Sequence, residues 1–256
     1  MIMNLDDIVK SAYQFQIENI SRKYEYALDI YLKRNDDLYS KKEVQTILQC
    51  QNALLFKFAL TTIFLEFLWK RSEANRQEIS FSIENSIFKH EWQDSEKILG
   101  SAFLEGFLFE ARSFLDIFER FCCLILKYTR PNQKGTDGFY KILDNKIDNI
   151  FKEKATKIKD IFRDEVFADN KWGKLLKDLR DKIAHFDILN YNYEGDEFIY
   201  GTLLDWPTIH KKTYERFLQE KILNELFMFM SSMTSILFDI DWIAGTLEEF
   251  KTKVKL

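Results

Sequence analysis

Glycine and proline are scarce in this sequence, which has 8 glycines and 2 prolines in 256 residues. Antiparallel sheets and barrels need a turn about every 8–12 residues, and those turns use glycine and proline. The shortage therefore excludes an all-β fold and favours long helices joined by few connections. The chain also contains no glycine-rich phosphate loop and no dinucleotide-binding fingerprint.

Cysteine is equally sparse, with Cys50, Cys122 and Cys123 making up the complete set of 3. An odd number with two adjacent members is neither a disulfide framework nor the paired spacing of a zinc site. We expect buried, reduced thiols, and no metal or other cofactor. The first residues lack the basic and then apolar pattern of a secretory signal, so the sequence predicts a cytoplasmic protein.

Long apolar runs are missing as well. The most apolar stretch covers residues 54–69 and contains Lys57 and Glu66. A membrane span needs about 20 consecutive apolar residues with few charges. Because this stretch is shorter and interrupted twice, we interpret it as a buried core helix and expect no membrane association.

What the sequence does contain is helical periodicity along most of its length. Predicted helices cover residues 4–34, 41–71, 94–128, 139–152, 154–168, 170–187 and 208–252, the last being one long helix or a broken pair. Residues 129–138 are predicted to form a loop. Alternation at residues 79–84 indicates a short strand or an extended connection.

A second alternating segment surrounds Glu194-Gly195-Asp196 and predicts a small β-hairpin near residues 188–205. The predicted fold is therefore an all-α, antiparallel helical bundle with one inserted hairpin. We expect residues 1–90 to form an N-terminal helical extension or lobe. Residues 91–256 would form the bundle.

The predicted helix over residues 94–128 carries phenylalanines around most of its circumference. A helix that is apolar on nearly all sides is the central helix of a bundle. Its polar exceptions lie close to one line and are Glu105, Arg112, Asp116 and Glu119. The simplest interpretation of this line is an exposed row of i,i+4 ion pairs, such as Arg112 with Asp116.

Charge is unevenly distributed along the chain. The 37 Lys and Arg against 41 Asp and Glu give a formal net charge of -4. Residues 127–182 carry 15 basic against 10 acidic side chains, a net +5, which leaves -9 for the remainder. A positive segment in an acidic chain can hold an anion in a cleft but cannot coat a long duplex.

Only 3 histidines occur, His90, His185 and His210, and a general acid or base near neutral pH is most often a histidine. His90 and His210 have no chemically informative neighbours, so we interpret them as surface or capping residues. His185 lies on the predicted helix 170–187, away from its leucine face. Asp181, four residues earlier, shares its side of the helix, where a carboxylate can orient an imidazole or raise its pKa.

Other charged residues of this helix complete the pattern. Arg180 has a planar fork that suits phosphate oxygens, and Lys174 and Lys177 extend the positive surface as candidate substrate-binding residues. In metal-independent cleavage of RNA, a histidine moves a proton at the ribose 2′-hydroxyl or the leaving oxygen, and an arginine stabilises charge on the phosphate. Helix geometry alone favours an ordinary exposed polar face with an Asp–His pair.

Residues 180–185, Arg-Asp-Lys-Ile-Ala-His, resemble the signature of the HEPN superfamily (higher eukaryotes and prokaryotes nucleotide-binding domain). That signature is an arginine, a polar residue that is often asparagine, and a histidine after four to six intervening residues. Here four residues separate Arg180 from His185, and Asp181 replaces the commoner asparagine. An upstream Phe-rich helix with Glu-Ala-Arg-Ser-Phe-Leu-Asp at 110–116 is also similar, and the resemblance covers about residues 95–250.

The resemblance implies a homodimer in which two copies of the motif face each other across one cleft. Active members are metal-independent endoribonucleases, often toxins or antiviral defence effectors. Carried onto this sequence, Arg180 and His185 would be catalytic, and Asp181 would orient His185. Two alternatives stay open: a non-catalytic helical adaptor, and a partner subunit of a nucleotidyltransferase or of a toxin–antitoxin pair.

Overall fold

A computed structural model describes residues 18–74, 95–128, 135–169, 171–185, 190–194, 197–201, 218, 222–242 and 246–254. For residues 18, 69–74, 95–101, 182–185 and the two strands, the description covers the backbone alone. The predicted strand at 79–84 and His90 and His210 lie outside the described residues. So do the first residues of the predicted helix 4–34 and the connection at 75–94, so the division of the chain at residue 90 stays a prediction.

The described elements are overwhelmingly helical, which confirms the all-α prediction. The helices are α1 (Glu18–Arg34), α2 (Lys41–Ala74), α3 (Ser95–Ile125), α4 (Gly135–Asn145), α5 (Lys152–Asp160), α6 (Trp172–His185), α7 (Asn224–Phe238) and α8 (Leu247–Val254). A 3-10 turn, Asn149–Phe151, precedes α5, and a π-helical turn, Ile161–Val166, follows it. Two short strands, β1 (Asn190–Glu194) and β2 (Glu197–Gly201), pair antiparallel with Asn192 opposite Ile199.

Local sequence explains several helix boundaries. Ser40 and Glu43 form a capping box at the start of α2, with the Ser40 N–H donating to Glu43 Oε2 at 2.8 Å. Thr246 and Glu249 repeat this arrangement at α8, with a Thr246 N to Glu249 Oε2 distance of 2.7 Å. Asp239 adopts a left-handed conformation after α7, with φ 55°. The predicted helix 208–252 is therefore broken in its described part.

The core is built around α3, which packs along α2 and also contacts α4, α6 and β1. Its central aromatic residue is Phe118, whose ring lies 4.8 Å from the Phe229 ring and 5.6 Å from the Phe114 ring, centroid to centroid. Tyr24 of α1 also contacts Phe118, at 6.5 Å. Buried residues of α1 and α2 thus share one core with those of α3 and α7.

The three cysteines are reduced thiols buried in the core, as predicted. The Cys50 thiol lies 3.8 Å from the carbonyl oxygen of Ile117 on the neighbouring helix. Burial raises the pKa of this thiol to about 11. Since the thiolate is the reactive form, the cysteines are packing residues.

Among the described residues, one helical stretch, Lys41–Leu68 in α2, is long and apolar enough to cross a membrane by length and composition alone. In the structure 44% of its most apolar window is buried. Leu54, Phe58 and Leu65 are among its side chains that are buried in the core. This packing agrees with the prediction of a core helix and is consistent with a soluble protein.

Gly106 marks a close approach of α3 to α2. A Cβ built on Gly106 would lie 2.7 Å from the Phe64 ring, so a side chain there requires the ring to move. We expect Gly106→Ala to lower the free energy of unfolding by about 1 kcal/mol despite the higher helix propensity of alanine. In a Phe64→Ala background, Gly106→Ala should instead raise the free energy of unfolding by about 1 kcal/mol relative to Phe64→Ala alone. Urea unfolding of the four proteins measures this reversal of sign, and equal effects in both backgrounds would contradict it.

Candidate functional site

Helix α6 carries the sequence-predicted site residues, and it is amphipathic as expected. Trp172, Leu176 and Leu179 are buried in the core, and α6 lies against α3 and the π-helical turn. Lys174 and Asp178 lie on the opposite side, with about half of each side chain exposed. The described part of the helix therefore presents its charged residues to solvent, because its leucines occupy the α3 side.

Arg180 lies at the border between these two faces. Its Nη1 donates to Asp181 Oδ1 at 2.9 Å, and its guanidinium carbon lies 5.7 Å from the centre of the Phe109 ring of α3. The side chain is 36% exposed, but its Nε is buried and has no hydrogen-bond partner among the described residues. One edge of the guanidinium thus packs on α3, and the rest is accessible.

His185 is the last residue of α6, and its side chain lies outside the described part of the chain. Asp181 precedes it by four residues in the same helix, a spacing that places two residues about 6 Å apart along the axis and on one side. The backbone therefore supports the predicted proximity of Asp181 and His185. Arg180 is on the same rigid element, five residues before His185.

The two predicted substrate-binding lysines differ in their surroundings. The Nζ of Lys174 lies 3.3 Å from Asp178 Oδ2, in an i,i+4 ion pair. Lys177 is exposed on α6. Exposed pairs of this kind contribute little to stability, so Lys174 can exchange Asp178 for another anion at small cost.

The polar line of α3 differs from the sequence prediction in its exposure to solvent. The predicted Arg112–Asp116 pair is present, with Arg112 Nη2 2.7 Å from Asp116 Oδ1. The prediction of an exposed row is nevertheless wrong for two of its members, because Arg112 is 8% and Glu119 2% exposed. α4 and α6 lie against α3, and within this line Arg112 forms an ion pair with Asp116.

Phe167 packs against Arg112 of this polar line. The Ile161–Val166 turn lets the Phe167 N–H donate to the Phe162 carbonyl at 2.9 Å, so the two rings share one face and lie 6.3 Å apart. The Phe167 ring also lies 5.5 Å from the Arg112 guanidinium carbon. A cation on an aromatic face is attracted by its negative charge density, which fixes Arg112 in place.

Two carboxyls of the α3 line have raised pKa values. Burial raises the pKa of Glu119 to about 7, although Arg112 and a hydrogen bond from Thr136 act in the opposite direction. Burial also raises the pKa of Asp116, while the Arg112 and Arg180 guanidiniums oppose that rise. Because Arg180 acts on Asp116, the α3 line and the predicted motif of α6 form one electrostatic cluster.

Arg112, Asp116 and Glu119 were not recognised as site residues from the sequence. Their i,i+4 and i,i+3 spacing on an otherwise apolar helix places them on one face of α3. The spacing does not show which element packs against that face. His90 and His210 lie outside the described residues. No group of three or more His, Cys, Asp or Glu residues in the described ranges is arranged to hold a metal ion.

The cluster between α3 and α6 consists of two guanidiniums and three carboxyls, contributed by Arg112, Arg180, Asp116, Glu119 and Asp181. Of these, Asp116, Arg180 and Asp181 are partly exposed, at 52%, 36% and 40%, whereas Arg112 and Glu119 are buried. No protein-family model, curated protein or solved structure matches the chain at a significant level. Chemically, an accessible arginine beside a carboxylate can bind a phosphate oxygen and orient a neighbouring proton donor.

Proposed function

We propose that this protein is a metal-independent endoribonuclease of the HEPN type, with Arg180 and His185 as its catalytic residues. The observation that carries the proposal is the continuity of α6 from Trp172 to His185. A continuous helix keeps the arginine, the aspartate and the histidine of the motif at a fixed spacing. Its accessible Arg180 guanidinium is already held by Asp181 and Phe109.

The roles follow from the chemistry of the three side chains. His185 transfers a proton at the ribose 2′-hydroxyl or at the leaving oxygen. Arg180 stabilises negative charge on the phosphate oxygens as the 2′-oxygen attacks phosphorus. Asp181 accepts a hydrogen bond from Arg180 through Oδ1, and a carboxylate has a second oxygen that can orient the imidazole. Lys174 and Lys177 bind the flanking phosphates.

The remaining features of the proposal come from the sequence pattern and from the HEPN resemblance. The bundle is antiparallel, with the β1–β2 pair as an insertion between α6 and the C-terminal helices. The active form is a cytoplasmic homodimer with RNA as substrate, acting as a toxin or antiviral defence effector. A monomer mass in light scattering at micromolar concentration would contradict the dimer.

A second candidate is a non-catalytic helical adaptor, or a partner subunit of a nucleotidyltransferase or of a toxin–antitoxin pair. The observation that favours it is the exposure of apolar side chains on α2, where Leu48 is 42% and Phe56 61% exposed. Exposed apolar residues on one helix are typical of protein-binding surfaces when they form a patch. In this candidate Arg180 and Asp181 form a surface ion pair only.

The deciding experiment compares wild type, His185→Ala and the matched control His210→Ala on total bacterial RNA in excess chelator. Wild type and His210→Ala should cleave the RNA and leave 2′,3′-cyclic phosphate ends. His185→Ala should be slower by about 10²- to 10⁴-fold, the usual contribution of a general acid or base.

Two results would contradict the proposal. RNA left intact by wild type would favour the adaptor, and a search for bound proteins would then follow. Cleavage that is lost in chelator and restored by a divalent ion would overturn the metal-independent mechanism.

A further inference from the structure

Two charged side chains of the polar line of α3 each bury an atom that has no hydrogen-bond partner among the described residues. The atoms are Arg112 Nη1 and Glu119 Oε1. Arg112 is 8% and Glu119 2% exposed, so bulk solvent does not reach them. An unpaired buried polar atom costs free energy, most of all when its group is charged, and an ordered water commonly supplies the bond at such positions.

Helix geometry brings Arg112 and Glu119 close together although they are seven residues apart. The Arg112 guanidinium lies over the turn that carries Asp116, because its Nη2 is 2.7 Å from Asp116 Oδ1. Asp116 and Glu119 are three residues apart, and side chains at this spacing are neighbours, with about 5–6 Å between their Cβ atoms. Helical side chains also tilt toward the N-terminus, so the Glu119 carboxyl extends back toward the guanidinium.

The two groups are nevertheless held apart. Arg112 is fixed by the Asp116 carboxylate and by the Phe167 ring, whose centre lies 5.5 Å from the guanidinium carbon. Glu119 is held by a hydrogen bond from Thr136 of α4. One water between Nη1 and Oε1 spans about 5–6 Å, the length of two hydrogen bonds. Such a water accepts from the guanidinium and donates to the carboxylate oxygen.

α4 contributes a third buried atom to this region. Tyr140 lies four residues after Thr136 and therefore on the same face of α4, the face that meets Glu119. The Tyr140 hydroxyl oxygen is buried and has no hydrogen-bond partner among the described residues. An internal water makes about three hydrogen bonds, so a guanidinium, a carboxyl and a hydroxyl are together sufficient to bind one.

We propose that α3 and α4 enclose an ordered internal water that bridges Arg112 Nη1 and Glu119 Oε1, with the Tyr140 hydroxyl as its third partner. Water fits these groups better than an ion does, because Arg112 repels a cation and the carboxyls of Asp116 and Glu119 repel an anion. The site lies inside the helical bundle, so its hydration does not depend on the proposed ribonuclease function.

The first measurement is magnetic relaxation dispersion of the water ¹⁷O nucleus, which counts the water molecules that stay inside a protein longer than its tumbling time. Glu119→Leu removes the acceptor and should lower this count by about one relative to wild type. Glu119→Gln keeps an oxygen and should keep the wild-type count. Thr234→Val is the matched control, because the buried Thr234 hydroxyl already donates to the Met230 carbonyl oxygen at 2.8 Å.

Tyr140→Phe tests the third partner, since it removes the hydroxyl and leaves the ring in place. Loss of one of three hydrogen bonds should shorten the residence time of the water about fivefold. The same count in Glu119→Leu as in wild type would overturn the bridging water. An unchanged residence time in Tyr140→Phe would overturn the role of this hydroxyl.

The second measurement needs no variant to fold and is a high-resolution crystal structure of the wild type. A density peak within about 3.2 Å of both Arg112 Nη1 and Glu119 Oε1 is expected. A direct hydrogen bond between these two atoms would overturn the proposal. Crystals soaked in bromide identify an anion by its anomalous signal, and such a signal at this position would overturn the assignment to water.

Discussion

Gly173→Ala is expected to lower the free energy of unfolding by about 2–3 kcal/mol, because the new methyl group meets atoms that cannot move aside cheaply. A Cβ on Gly173 would overlap with Val166 Cγ1 and would lie 2.8 Å from the Val166 carbonyl oxygen. The second contact is with backbone, so the first turn of α6 and the π-helical turn must separate. Alanine gains at most about 1 kcal/mol from helix propensity, which does not offset the clash.

The same substitution tests the packing of α6 against the π-helical turn. Urea unfolding followed by circular dichroism gives the stability change. Val166→Ala is the matched partner, because it removes Cγ1 but leaves the carbonyl oxygen. The double variant should lose about 1 kcal/mol less unfolding free energy than the sum of the two single losses. Strictly additive effects would contradict the contact.

Glu119→Gln is expected to stabilise the protein at pH 8 by about 3 kcal/mol, the free energy that corresponds to a pKa raised from 4.5 to about 7. The cause is burial: Glu119 is 2% exposed, and its ionised form is disfavoured despite Arg112 and Thr136. A glutamine has nearly the same shape and cannot ionise. It therefore mimics the protonated glutamate at every pH.

The sign follows from proton binding. Between about pH 4.5 and 7 the folded protein keeps the Glu119 proton while the unfolded chain has lost it. The unfolding free energy of the wild type must then fall as pH rises through this window, and the full penalty is present above pH 7. Glu119→Gln lacks this fall, so the two proteins should be equally stable near pH 4.5 and should diverge toward pH 8.

Urea unfolding of wild type and Glu119→Gln at pH 5, 6, 7 and 8 measures the divergence. The matched control is Glu165→Gln, the same change at an exposed position of the π-helical turn. Its stability should follow the wild-type curve. A constant difference between wild type and Glu119→Gln from pH 5 to pH 8 would contradict the buried, proton-binding carboxyl.

Much of the helical framework could be predicted because it depends on local properties. The scarcity of glycine and proline and the 3.6-residue periodicity are sufficient for α2, α3 and α6, whose observed bounds lie within a few residues of the predicted ones. The break at Asp239 and the π-helical turn at Ile161–Val166 were not located. Lys154 of α5 contacts Leu237 and Asp239 at the break, and α6 lies against the π-helical turn, and such contacts between distant segments are not visible in local periodicity.

In the candidate site, too, some features follow from local sequence and others from tertiary contacts. The sequence by itself determined that Arg180, Asp181 and His185 share one amphipathic helix, since their spacing and the turn of an α-helix are enough to place them. Periodicity also placed Arg112, Asp116 and Glu119 on one line of α3. Which neighbour covers that line was decided only by the tertiary structure. Arg112 and Glu119 are buried where α6, α4 and Phe167 pack on α3, because burial is a property of facing surfaces and not of one helix.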